Sequence, residues 1–108
     1  MALFIIRETG QIDRRFVLKH KETTIGRDKD SILVLPHTTV SRQQAKLIRK
    51  DKNTAILHNI SSTSPILVNG EKINSVTLHT NDTLQIGKFT LVFFGDNLTP
   101  MQQLFEGQ

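Results

Sequence analysis

The chain has 108 residues, 37% of them hydrophobic, with 14 basic residues against 10 acidic ones and a formal charge of +4 at pH 7. That length holds one compact domain with its own core, and the composition excludes wholesale disorder. With no cysteine anywhere in the sequence, disulfides, thiolate metal sites and cysteine nucleophiles are excluded, and a core held without cross-links fits a reducing compartment. No apolar run approaches the roughly 18 residues of a membrane span. Residues 1–7 are apolar but lack the basic lead and small-residue cleavage site of a secretory signal, so they read as the first strand of a cytoplasmic protein. The positive balance favours an anionic partner such as nucleic acid, acidic lipid or phosphorylated protein. The basic residues are spread along the chain, however, and all six aromatics are Phe, with none among basic clusters. That pattern argues against stacking on nucleic-acid bases.

Runs of β-branched and apolar residues recur every 8 to 12 residues with turn residues between them, the spacing of a sandwich or barrel. In chain order the predicted strands are 2–7, 14–18, 23–26, 32–34, 44–49, 54–58, 67–68, 76–78, 83–86 and 89–94. Several alternate by two: Leu84 and Ile86 share one face of their run and are expected to be buried, and Ala45 and Leu47 partly repeat the pattern. Asp51-Lys52-Asn53 reads as a hairpin loop. Asn69-Gly70 is the strongest turn signal, because both residues tolerate positive φ, and Asn81-Asp82 and Gly87-Lys88 mark two more turns. A short helix fits only the tail beyond residue 96, where Thr99 can cap, Pro100 suits the first position, and Met101, Leu104 and Phe105 share a face. The expected organisation is one domain over 1–95 and a tail or linker over 96–108.

Three polar stretches fall between these runs: residues 27–31, 36–42 and 59–66. Loops at one end of a β-sandwich cluster, so all three can converge on one site. Catalytic readings find little support. The histidines His20, His37, His58 and His79 form no ligand-spaced pair and are accompanied by no carboxylate pattern. There is no strand–Gly-x-Ser-x-Gly–helix element and no nucleotide-cradling loop. No enzyme activity, cofactor or metal is expected.

The groups that point to a ligand are Gly26-Arg27 at a strand end, Ser41-Arg42 just before another strand, and the cluster Ser61-Ser62-Thr63-Ser64-Pro65. Arg matches phosphate well, being planar, permanently charged and able to donate two parallel hydrogen bonds. Ser and Thr clusters offer hydroxyl and backbone N–H donors to an anion. Singly, each element is as readily a solvated loop or a plain turn. In order they run strand, Gly-Arg, about 14 residues, Ser-Arg before a strand, about 20 residues, Ser/Thr turn, then Val68-Asn69-Gly70.

That order resembles the forkhead-associated (FHA) domain. Residues 31–35 look like the family's short strand before its Ser loop, 68–73 like its hairpin, and 81–87 like its late element of acidic residue, strand and Gly. The resemblance covers roughly residues 3–95. It implies an all-β sandwich of about eleven mostly antiparallel strands that binds phosphothreonine peptides on loops at one end. Arg27 would then bind phosphate bidentately, Ser41 would donate its hydroxyl and N–H, Arg42 would add charge, and Thr63 would contact the phosphate or the phosphothreonine backbone. Ser64 occupies the place of an Asn that holds the peptide backbone; Gly26, Gln44, Asn69 and Gly70 would support the site.

Two positions depart from the family. Gln44 stands where a loop-steadying His is usual, from which a softer loop is expected, and Ser64-Pro65 replaces Asn-Gly. Ser is shorter, and Pro has no N–H. The implied partner is a phosphothreonine-bearing protein or peptide, such as a kinase substrate or the chain's own tail. Neither nucleic acid nor membrane is expected, and the chain is expected to be a monomer. The departures keep open a phospho-independent scaffold or dimerisation module of the same fold.

Overall fold

The computed structural model describes residues 1–96. Within them the chain forms eleven strands: β1 (Leu3–Arg7), β2 (Arg14–Val17), β3 (Glu22–Gly26), β4 (Leu33–Val34), β5 (Ala45–Arg49), β6 (Ala55–Asn59), β7 (Ile66–Val68), β8 (Glu71–Ile73), β9 (Ser75–Leu78), β10 (Thr83–Ile86) and β11 (Phe89–Phe94). They build a six-stranded sheet in the order β2-β1-β11-β10-β7-β8 and a five-stranded sheet in the order β4-β3-β5-β6-β9. Among the described residues β3 and β4 pair in parallel, and the other strand pairs are antiparallel. Each run read from the sequence is a strand here, its ends moved by no more than one residue. The strand not read as a run of its own is β8, a short polar segment at the edge of its sheet. The tail helix considered for residues beyond 96 lies outside the described residues.

Period-two alternation fixes the register. In β11, Phe89, Leu91 and Phe93 are buried, and Leu91 faces Leu84 of β10. In β5, Leu47 is buried and faces Leu57 of β6. A one-residue slip would turn each of these sets outward, so burial of one face specifies the pairing. The two sheets close over one core in which Phe4 and Phe93 meet edge to face, ring centroids 5.8 Å apart and planes at 64°, a geometry that contributes roughly 0.5–1.5 kcal/mol beyond the area buried.

The turns follow their residues. Asn69 and Gly70 have φ of 52° and 86°, the left-handed pair that a tight two-residue hairpin demands. Asn69 is further tied to β10: its Oδ1 accepts from the Thr83 N–H (3.0 Å) and its Nδ2 donates to Asp82 Oδ1 (3.0 Å). The β5–β6 loop, at the same end of the sandwich, is closed by Asp51, whose Oδ1 accepts the N–H groups of Asn53 (2.8 Å) and Thr54 (2.9 Å).

The Asn53 N–H, with Thr54 adding to it, holds the Asp51 carboxyl below its ordinary value of 3.8. A depressed carboxylate stabilises the fold above its ordinary value and loses that contribution as pH falls through the lower folded value. Asp51→Ala is therefore expected to lower stability at neutral pH but to match the wild type in strong acid. Urea melts at several pH values check this, and a difference that persists below the folded value would contradict it.

Candidate functional site

The site begins where β3 stops. A Cβ on Gly26 would sit 2.1 Å from the Arg42 carbonyl oxygen, so only glycine lets the segment before β5 come this close. The approach is sealed by backbone bonds from Arg27 N to Ser41 O (3.0 Å), Asp28 N to Arg42 O (3.2 Å) and Gln44 N to Ile25 O (2.9 Å). These place the β3–β4 loop beside the β4–β5 loop. Arg27 Nε donates to the Val40 carbonyl (3.1 Å). That bond fixes the guanidinium by its inner nitrogen and leaves both terminal nitrogens without a partner among the described residues.

The third loop, between β6 and β7, is docked through Gln44. This side chain is fully buried. Its Oε1 accepts the Ser41 N–H (2.9 Å), and its Nε2 donates to Asn59 Oδ1 (3.0 Å) and to the Ser64 carbonyl (2.9 Å). Asn59 completes the junction: its Nδ2 donates to the Ser64 carbonyl (3.1 Å) and its Oδ1 accepts from the Ser61 N–H (3.2 Å). Gln44 was expected to leave a softer loop; instead its carboxamide joins the two loops with three hydrogen bonds. The same geometry trims one expected role of Ser41. Its N–H is committed to Gln44, so the hydroxyl is the donor left for a ligand.

Arg27, Thr38, Thr39, Val40, Ser41, Thr63, Ser64 and Pro65 line an open cleft of about 440 Å³. Of the residues singled out from the sequence, the structure brings Arg27, Ser41, Thr63 and Ser64 together here. Arg42 is exposed beside the cleft but does not line it. Asn69 and Gly70 form their hairpin on the six-stranded sheet, away from the cleft lining, and Gly26 and Gln44 brace it from beneath. The Ser64 hydroxyl donates to the Thr39 carbonyl (3.2 Å), spending its polar group on the neighbouring loop. The sequence reading gave no role at the site to Thr39 or Asn59, and named Ser61 only as a member of its Ser/Thr cluster. Polar residues in loops are common, and only the fold shows that these meet; the lone available signal was that each lies in a stretch already marked as non-strand.

A smaller groove of about 240 Å³ lies beside Thr24, Asp28, Asp30, Lys46 and Ile60. It shares no lining residue with the cleft, and its two carboxylates suit it poorly to an anion. Among the described residues no cluster of His, Asp and Glu side chains could hold a metal ion, and no helix is long and apolar enough to cross a membrane.

Fold and site together define a two-sheet β-sandwich that gathers an arginine and several hydroxyls at the loops of one end. The chain belongs to the FHA domain family, whose model matches residues 23–87. It is 35% identical over 92 residues to the oxoglutarate dehydrogenase inhibitor of Corynebacterium diphtheriae, a match covering 85% of this chain and 64% of that protein. The chain thus spans less than two thirds of this relative's length. Among solved structures, the FHA domain of a Chlamydia trachomatis protein superposes with a TM-score of 0.81 at 24% identity, covering 89% of this chain and 98% of that one. An FHA domain solved for its phosphothreonine-dependent interactions superposes with a TM-score of 0.75 at 25% identity, covering 89% and 99%.

Replacing Gln44 with Ala leaves the Ser41 N–H without its acceptor and removes two donors from a buried junction. Loss of roughly 1–3 kcal/mol of stability is expected for each buried group left unpaired. Chemical denaturation checks the loss, and a variant as stable as the wild type would show that the junction is not what holds the loops.

Proposed function

We infer that the chain is a phosphothreonine-dependent interaction module that docks phosphorylated peptides on the loops at one end of its sandwich. The observation that carries this reading is the Arg27 guanidinium, anchored by Nε on Val40 with its terminal nitrogens free, in a cleft shared with Ser41 and Thr63. A phosphothreonine brings about −1.5 to −2 charge and three acceptor oxygens. Hydrogen bonds to charged groups contribute roughly 1.5–3 kcal/mol each. Two from Arg27, one from Ser41 and one from Thr63, less the ordering cost, support affinities near micromolar, about −8 kcal/mol. Arg42, exposed nearby, adds charge that speeds encounter more than it tightens the complex.

The module acts by binding rather than by catalysis, in the cytoplasm, as one folded copy. A relative named as an inhibitor of oxoglutarate dehydrogenase and a neighbour solved for phosphothreonine-dependent interactions support a regulatory role toward a phosphorylated protein. The second reading, a phospho-independent scaffold, draws on Pro65, which lines the cleft without an N–H to offer a peptide. The two separate on treating the partner with phosphatase: the first predicts release, the second unchanged binding.

Screened against a phosphothreonine peptide library by fluorescence anisotropy, the wild type should select phosphorylated members and ignore their unmodified counterparts. Arg27→Ala should weaken that binding by at least about a hundredfold, the loss of two charged hydrogen bonds at roughly 1.5 kcal/mol or more each. Arg27→Lys should fall between, keeping charge but losing the planar fork. Equal binding by wild type and Arg27→Ala would refute the assignment.

A further inference from the structure

We propose that Ser61 is a positioning residue for the phosphate, acting through the Ser41 hydroxyl; this rests on the phosphate-binding reading of the cleft. The two hydroxyl oxygens lie 2.6 Å apart, and the distance alone leaves open which one donates. Counting lone pairs decides it. A serine hydroxyl has one hydrogen to give and two lone pairs to receive. Ser61 Oγ accepts the Ser64 N–H (2.9 Å) and the Thr63 N–H (3.2 Å), which fills both. Thr63 Oγ1, at 3.5 Å, is too far to compete. The Ser61 hydrogen is therefore directed at Ser41 Oγ, which accepts it.

Two consequences follow for Ser41. Its oxygen is held in place, and its own hydrogen, having no partner among the described residues, is free to be donated into the cleft. Because its N–H is committed to Gln44 (2.9 Å), that hydrogen is the donor Ser41 has to offer. Hydrogen bonds in series polarise one another, so a hydroxyl that accepts from Ser61 donates more strongly to a phosphate oxygen. The turn of residues 61–64 is closed by the Thr63 and Ser64 N–H groups, and through the Ser61 hydroxyl it sets the direction of the Ser41 hydroxyl. Ser61 touches no ligand in this scheme; it sits behind the group that does, and it is absent from the cleft lining.

A nuclear magnetic resonance titration with a phosphothreonine peptide bearing alanine at its other positions tests the relay, since it measures weak binding and reports folding in the same spectra. Ser61→Ala is expected to weaken binding about tenfold, and Ser61→Thr, which keeps the hydroxyl, to restore most of it. The signature of a relay is coupling. In a Ser41→Ala background the further change Ser61→Ala should cost less than about twofold, because the group it acts through is already gone. A Ser61→Ala protein that binds as the wild type does, or a loss that is undiminished in the Ser41→Ala background, would overturn the relay while leaving the phosphate-binding reading intact. Wild-type protein whose Arg27 and Ser41 signals ignore the peptide would overturn that reading and the relay with it. Should Ser61→Ala disturb the turn, Ser61→Thr and Ser41→Ala still decide the matter: loss of binding in the threonine variant with its turn intact counts against the relay.

Discussion

Gln44 spans the gap between two loops with a single planar group. Its oxygen takes the Ser41 N–H, and its nitrogen reaches Asn59 and the Ser64 carbonyl. Its backbone meanwhile accepts from Ile60 and Ser61 and donates to Ile25. Because the side chain is buried, these bonds operate where water cannot replace them, and leaving any one unmade is costly. Ser41 and the 61–64 turn inherit their positions from this junction. Ser41 is oriented through its N–H and the 61–64 turn through Ser64, so the two loops that border the cleft are held side by side. The carboxamide does the steadying work expected of the family's imidazole with an acceptor and two donors on one side chain.

Preorganisation is the other half of the site's chemistry. Arg27 gives one N–H to Val40 within the protein, so the guanidinium is not a swinging cation. A side chain already held in its binding pose loses less freedom when a ligand arrives. Gly26 serves the same end from the backbone side, since the close approach to Arg42 brings Arg27 and Ser41 to one cleft. Under the proposed function, charge alone would attract phosphate, and the fixed geometry would let several donors hold it together.

The fold was largely legible in the sequence, because alternation and turn chemistry are local. Leu84 and Ile86, Asn69-Gly70 and the Asp51 loop each announce themselves within a few residues and are found where read. Arg27, Ser41 and Thr63 were legible only as an ordered set, since none of them carries a signal alone. What the sequence did not display were the pairings between distant residues. Asn59 with Gln44, Ser61 with Ser41 and Thr39 with Ser64 are separated by 15, 20 and 25 positions, and their meeting depends on the pairing of β5 with β6 and on where the loops beyond it run. Gln44 was named as a support of the site, but its partners were hidden for the same reason. A residue judged by type looked like a weaker substitute, whereas its partners make it the anchor.

Thr39 carries a consequence of its own. Its hydroxyl accepts from the Lys88 N–H (3.0 Å), and a Cβ on Gly87, where φ is 56°, would lie 2.3 Å from that oxygen. The turn between β10 and β11 belongs to the six-stranded sheet, while the loop carrying Thr39 leads from β4 to β5 in the other. Recognition loops are ordinarily the parts of a protein that open first, independently of the scaffold beneath them. Here the loop is riveted to a hairpin whose strands contribute Ile86, Phe89 and Leu91 to the core. Freeing the loop means disturbing both sheets, so the cleft and the fold share one cooperative unit, and the integrity of the binding surface is a readout of the integrity of the whole domain.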